Sequence, residues 1–377
     1  MSQLSYARYG KDNVRLYKVD KDPQTGVHKV VEQTVCVLLE GDIETSYTKA
    51  DNSVVVATDT QKQTTYILAK QNPIDPPEQF AAIIGDHFVK TYPHIHAAHV
   101  KIVQHRWTRM TIDGKDHPHS FFRDGEETRV VESVTRENEG ISIRSKIEKL
   151  LVLKSTGSAF HGFHRDEYTR LPETWDRILS TEIEAGWQWK LFKTLDEAKA
   201  IDFSAAWKAA RDITMKVFAE DNSASVQATM YKMCDLILAA VPQIDAVDYS
   251  LPNKHYFEID LSWHKDIKNT GKDATVFSPQ SDPNGLIQCT SPSKTITMPP
   301  KQMTGKGRTL NEPSFASSTI SAFTSKENRS IVTAAGMFAG ENGMNNQRTQ
   351  GQNADELTAQ LGVTFLHSSW AEILLPA

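Results

Sequence analysis

The stretch LPNKHYFEIDLSWH, Leu251 to His264, poses a chemical question. From Phe257 onward it alternates, with Phe257, Ile259, Leu261 and Trp263 on one face and Glu258, Asp260 and Ser262 on the other. That period of two predicts a strand with one buried face. Counting back, the buried face runs through His255 and Asn253. Buried polar side chains cost free energy unless they find partners. Arg177 and Gln227 lie between strand-like and helix-like segments nearby in the chain. Gln227 falls in the first turn of a helix that Asn222 or Ser223 would cap, near free N–H groups and the positive dipole end. Thr58 takes a similar place in the first half of the chain. Taken singly, each of these residues fits a structural role better. Taken together they outline a site for a flat, polar, anionic heterocycle. Arg and Gln grip such a ring by paired hydrogen bonds, an aromatic side chain stacks on it, and His moves protons.

Other chemistries find less support. His94 and His96 in HIHAAH, and His117 and His119 in HPH, have the H-x-H spacing that can ligate zinc, copper or iron from a strand. No neighbouring carboxylate or Cys completes a ligand set, so satisfied polar residues are the preferred reading and no metal is expected. GxGxxG, GxxxxGK[ST], GxSxG and HExxH are all absent.

The elements that must position these residues follow from periodicity. NVRLYKV and HKVVEQTVCVLLEGDIETSY read as strands. TDTQKQTTYILAK reads as a helix with Thr58 or Asp59 as its cap, and PPEQFAAIIGDHFVKTY as a helix with the stripe Phe80, Ile83, Ile84 and Phe88. Strand-like HIHAAHVKIVQHRWTRM and HPHSFFR follow. The order then recurs. EKLLVLKS and DRILSTEIEAGWQW are strands, and DFSAAWKAARDITMKVFA is a helix with Phe203, Trp207, Ala210, Ile213 and Val217 on one side. SASVQATMYKMCDLILAAV is a helix with Val226, Met230, Met233 and Ile237. Helices grouped between strands imply an antiparallel α+β fold, and the recurrence implies two similar units, residues 1–139 and 140–290. Residues 291–377 are rich in Ser, Thr, Asn, Gln and Gly without periodicity, and are expected to form a disordered tail.

Bulk properties narrow the classes. The chain has 377 residues, 39% hydrophobic and 24% charged, with a formal net charge of −5. That balance lacks the basic footprint of general nucleic-acid binding. No run of 18 apolar residues predicts a membrane span, and the N-terminus has no apolar signal core. The three cysteines, Cys36, Cys234 and Cys289, form no CxxC pair and fit a reducing compartment.

The segment LLVLKSTGSAFHGFHRDEYTRLPETWDR, Leu150 to Arg177, resembles the uricase (urate oxidase) signature, with Lys154, Phe160, Phe163, Tyr168, Leu171 and Arg177 at the family's spacings. ARYGKDNVR, TSYTKADNSVVVATD, HIHAAHV, DNSASVQATMYKM and YSLPNKHYFEIDLSWH are similar in the same way, most like the fungal enzymes. The resemblance covers residues 1 to about 290. It implies the tunnel fold, with two similar domains per chain and a homotetramer that closes a β-barrel tunnel with active sites shared between subunits. It implies oxidation of urate by O2 and water to 5-hydroxyisourate and hydrogen peroxide, with no metal or organic cofactor. By resemblance Arg177 and Gln227 clamp urate and Phe160 stacks on it. Leu171 and Val226 line the pocket, Thr58 and Asp59 reach in from a neighbouring subunit, and Asn253 with Thr58 holds O2 or water. Lys11, Thr58 and His255 form the proton relay. Family members usually end in a peroxisomal S-K-L-type tripeptide. The peroxisome is expected by resemblance, but this chain ends LLPA and lacks that signal, and the expectation otherwise is the cytoplasm. Two other readings are a metal-dependent tunnel-fold enzyme acting on pterins or GTP, and a purine-binding protein without turnover.

Overall fold

In the computed structural model residues 3–280 and 282–293 are described. The expected tail therefore lies outside the described residues, apart from Ser291 and Pro292, which complete the last strand, and Ser293, which follows it.

The first half runs β1 (Tyr9–Lys21), β2 (His28–Gly41), a short α1 (Glu44–Thr48), α2 (Thr58–Gln71), α3 (Pro77–Thr91), β3 (Ile95–His105), the hairpin β4 (Thr108–Ile112) and β5 (Lys115–Phe122), and β6 (Thr128–Arg136). The second half runs β7 (Gly140–Lys154), β8 (Leu179–Trp189), α4 (Leu195–Lys199), α5 (Phe203–Glu220), α6 (Val226–Ala240), β9 (Ile244–Lys254), β10 (Tyr256–Glu258), β11 (Phe277–Pro279) and β12 (Gly285–Pro292). The order of strand pair, helix pair and strand pair thus recurs. One eight-stranded antiparallel sheet, β1-β2-β3-β6-β7-β8-β9-β12, joins both halves through the β6–β7 pairing.

Alternation assigns the sheet's two faces. In β7, Ile141, Ile143, Ser145 and Ile147 are buried, while Ser142, Arg144, Lys146 and Glu148 between them are partly open. The buried face packs on α3 and α5, and the other carries paired charges such as Arg144–Asp248 (2.5 Å) and Lys146–Glu132 (2.7 Å). A one-sided core of this kind is what antiparallel sheets allow.

The helical stripes form for the reasons the spacing implies. Phe80, Ile84 and Phe88 of α3, and Val226, Met230, Met233 and Ile237 of α6, are buried, whereas Ile83 is only partly buried against the core. In α5 the buried set is Phe203, Ala206, Ala210, Thr214 and Phe218, whereas Trp207, Ile213 and Val217 lie only at its margin. Thr214 turns the helix that way because its hydroxyl shares a 2.6 Å hydrogen bond with Tyr249 inside the core.

Three expectations are corrected. The strand foreseen through ETSY stops at Gly41, and α1 follows. β10 ends at Glu258, and the face foreseen as buried is open: Phe257 is 57% and Trp263 79% exposed. Local hydrogen bonds outcompete a strand here. Asp260 accepts from the Ser262 N–H (2.9 Å), and buried Asn269 donates to the Ile259 and Val276 carbonyls (2.8 Å each). Third, neither Thr58 nor Asp59 caps α2: its N-cap is Ala57.

A buried polar chain crosses between the halves. Arg129 of β6 grips Glu78 of α3 through Nη2 (2.6 Å) and Nε (3.2 Å), the Ser145 hydroxyl donates to Glu78 (2.7 Å), and the Trp189 indole donates to Ser145 (2.9 Å). Glu78 is fully buried and Arg129 nearly so. Arg129→Met should cost about 3–5 kcal/mol by stranding the carboxylate, while adding Glu78→Leu should recover much of it. Denaturant unfolding of the two variants checks this, and equal losses would reduce the pair to packing.

Candidate functional site

Backbone pairing assembles one corner of the sheet. The strap that leaves β7 makes a parallel bridge, Ser158 to Ser223, with Ala159 N–H donating to Ser223 O (2.8 Å) and Ser223 N–H to Gly157 O (3.0 Å). It also pairs Phe160 with Thr174 (2.7 and 2.9 Å), and the Arg177 N–H donates to Ser158 O (2.8 Å). Phe160, Arg177 and the start of α6 are thereby drawn together. The α6 cap is Ser225, whose hydroxyl accepts from the Ala228 N–H (3.2 Å), rather than Asn222 or Ser223. Ser223 is instead buried, accepting from the Thr229 hydroxyl (2.8 Å). Val226 and Gln227 are then the first two helical residues, the former buried and the latter exposed.

The Arg177 guanidinium carbon lies 5.2 Å from the centroid of the Phe160 ring, and Phe163 stacks on that ring at 5.0 Å and 12°. The buried Nε of Arg177 has no hydrogen-bond partner among the described residues. Burial pulls the guanidinium below its usual pKa. A partly desolvated cation beside an aromatic face is suited to a planar anion.

Asn253 and His255 come to the same corner, but at the end of β9 rather than at its head. Asn253 pairs with Thr181 on one side and Gly285 on the other, and His255 lies just beyond, between β9 and β10. Burial, and then the nearby Arg177 charge, hold the His255 pKa below its ordinary value. Its imidazole is therefore neutral at pH 7 and able to accept a proton. Leu171 belongs to the exposed outer part of the strap.

Lys11, Thr58 and Asp59 are elsewhere. Lys11 lies on edge strand β1 beside a register shift that precedes Val14, where Asn13 takes a φ of 56°. Thr58 opens α2, and its hydroxyl has no partner among the described residues. Asp59 bonds Lys62, which together with the more distant Lys11 holds its carboxyl below the usual range. From β1 to β9 there are six steps along the sheet order. At about 4.8 Å per strand that separates the two groups by roughly 29 Å along the sheet.

Two supports escaped the sequence reading. Asp176 accepts from the Thr156 hydroxyl (2.8 Å) and the Gly157 N–H (2.9 Å), which pins the strap at both ends. The Tyr9 hydroxyl accepts from the Val56 N–H (2.7 Å) and fixes the approach to α2. Neither leaves a periodic signal, although an Asp beside the candidate Arg177 was a cue. The H-x-H pairs take other roles. His96 sits between Glu137 (2.9 Å) and Asp42 (3.1 Å), and His117 meets His119 edge-on at 4.6 Å. No group of His, Cys, Asp and Glu able to hold a metal ion is found among the described residues.

Fold and corner define an α+β protein that carries a partly desolvated arginine against an aromatic face beside one end of an antiparallel sheet. The chain belongs to the uricase family, whose model matches residues 7–134 and 143–288. It is 66% identical over 292 residues to the uricases of Emericella nidulans and of Aspergillus flavus, covering 77% of this chain and 97% of each relative. The crystal structure of the Arthrobacter globiformis uricase superposes with a TM-score of 0.70 at 36% identity, over 79% of this chain and 98% of that one.

Asp176→Ala should free the strap while leaving the sheet intact. Hydrogen exchange measured by mass spectrometry should rise across residues 156–177 and stay unchanged in β8 and β9. Unchanged strap exchange would show that its backbone bridges suffice.

Proposed function

We propose that this protein oxidises urate with O2 and water to 5-hydroxyisourate and hydrogen peroxide, as a step in purine degradation. The observation that carries the reading is the Arg177–Phe160–His255 corner in a chain of the uricase family. Arg177 and Gln227 clamp the ring's polar edges, and Phe160 stacks on its plane. Val226 and Leu171 line the pocket. Asn253 and Thr58 hold O2 or water above the ring. An electron-rich urate dianion can pass an electron to O2 directly, so the protein's tasks are deprotonation and positioning. Neutral His255, Thr58 and Lys11 relay the protons.

In this reading the two groups of residues meet across copies in a homotetramer, with Lys11, Thr58 and Asp59 from one subunit and the Arg177 corner from its neighbour. Two features support assembly. β1 and β12 each end the sheet with one unpaired side among the described residues, and an open edge invites another strand. Tyr168, Leu171, Trp175, Phe257 and Trp263, around the corner and beyond it, are large apolar residues left exposed in the single chain. Large apolar side chains left in water around one corner are the kind of surface that a contact covers.

The direct test is to add urate in air and follow its ultraviolet absorbance together with peroxide. Stoichiometric loss and release, unchanged by chelators, are expected, and no loss would end the proposal. Arg177→Lys should weaken urate binding by about 2 kcal/mol or more, because Lys lacks the planar fork. Unchanged affinity would remove Arg177 from the site. His255 sets a sign for pH. Its folded pKa lies below the unfolded one, so the imidazole is neutral above roughly pH 6.5 and gains a proton only as pH falls below that. Activity should fall on that acid side, and His255→Gln should abolish that limb of the pH profile. A limb that persists in the variant would assign it to another group.

A further inference from the structure

Cys234 of α6 and Cys289 of β12, separated by 55 residues in sequence, bring their sulfurs to 3.8 Å. Cys234 is completely buried, and Cys289 is half-buried at the edge of the core. Cys289 lies opposite Tyr249 of β9 in the ladder, on the helix-facing side of the sheet. The contact thus joins the helix that opens with Val226 and Gln227 to the strand that pairs Gly285 with Asn253. No step of the proposed reaction uses either thiol.

We propose that Cys234 and Cys289 form a peroxide-sensitive dithiol that closes to a disulfide and ties α6 to β12. The chemistry balances with hydrogen peroxide as the oxidant. The Cys289 thiolate attacks one peroxide oxygen and the O–O bond breaks, giving a sulfenic acid and, after protonation, water. The Cys234 sulfur then attacks the sulfenic sulfur, the S–O bond breaks, and a second water leaves with the Cys234 proton. Two thiols lose two electrons and one peroxide gains them. The division of roles follows from position. Cys289 is the more accessible, and the S–H of Cys234 and a backbone N–H of Tyr249 pull its pKa down to about 7. The same contact first, and burial second, raise that of Cys234, which suits a resolving thiol. Cys36 provides an internal contrast, since burial first and Asp12 next push its thiol up to about 12. The sulfurs need only close from van der Waals contact to the bonded distance of about 2.0 Å. That the oxidant is the enzyme's own product rests on the function proposed above. The dithiol itself does not.

The test uses the full-length protein, whose sequence holds three cysteines. One portion receives hydrogen peroxide alone, another urate in air, and a third urate with catalase; thiols are then alkylated under denaturing conditions and mapped without reductant. Peroxide should leave one free thiol, Cys36, with the Cys234 and Cys289 peptides linked. The linked form should unfold at higher temperature than the reduced form, a shift that Cys234→Ala should remove. Urate turnover should give the same link, and catalase should prevent it. Three free thiols after peroxide, or oxygen added to Cys289 without a link, would overturn the proposal. A turnover link indifferent to catalase would overturn the product as oxidant. A link formed by added peroxide in a protein that leaves urate untouched would sink the functional reading and leave the dithiol standing.

Discussion

Two open edges govern this molecule. Every interior strand of the eight-stranded sheet satisfies its backbone on both sides, while β1 and β12 each keep one side unpaired among the described residues. An edge is a template for pairing, and each edge here lies near one part of the proposed site. Lys11 is on β1, with Thr58 at the start of the helix packed beside it. Asn253 is on β9, one strand in from β12. The sheet that makes the fold rigid is also what keeps these residues apart within one chain.

Rigidity at the Arg177 corner comes from short backbone ladders rather than from long packing runs. The strap from Ser158 to Arg177 is held by a bridge to Ser223, a bridge within itself at Phe160–Thr174 and the Asp176 carboxylate. Elsewhere in the fold cations find anions: Arg129 has Glu78, Arg211 has Glu127 and Arg144 has Asp248. Arg177 has an aromatic face and a neutral imidazole nearby instead. A cation desolvated without a carboxylate retains affinity for an anion that arrives later. Burial first, and the same positive charge second, lower the His255 pKa, so in the proposed reading one placement serves both binding and proton transfer.

The sequence was most legible where burial is periodic. The α6 stripe of Val226, Met230, Met233 and Ile237 and the α3 stripe of Phe80, Ile84 and Phe88 pack as spacing implies, because a helix on a sheet has one apolar face to bury. Legibility failed where single polar side chains decide. Asp260 and Asn269 turn an alternating segment into a loop, and Ser225 captures the cap that Asn222 and Ser223 also suit. Phe160 and Arg177 meet, and His255 lies near enough to feel the Arg177 charge, yet periodicity alone carried no signal for the bridges that hold the strap there. Lys11, Thr58 and Asp59 stay distant within one chain, which only the sheet order makes visible.

Sharing a site between chains is the central claim, and mixed assembly tests it most directly. Chains carrying Lys11→Met are co-expressed with chains carrying Arg177→Ala, each variant being nearly inactive alone. In a symmetric pair, a mixed unit has one site with both lesions and one with neither. Random mixing makes about half the pairs mixed, so roughly a quarter of wild-type activity should return. Chains that demonstrably co-assemble and yet recover no activity beyond the sum of the separate variants would contradict the account.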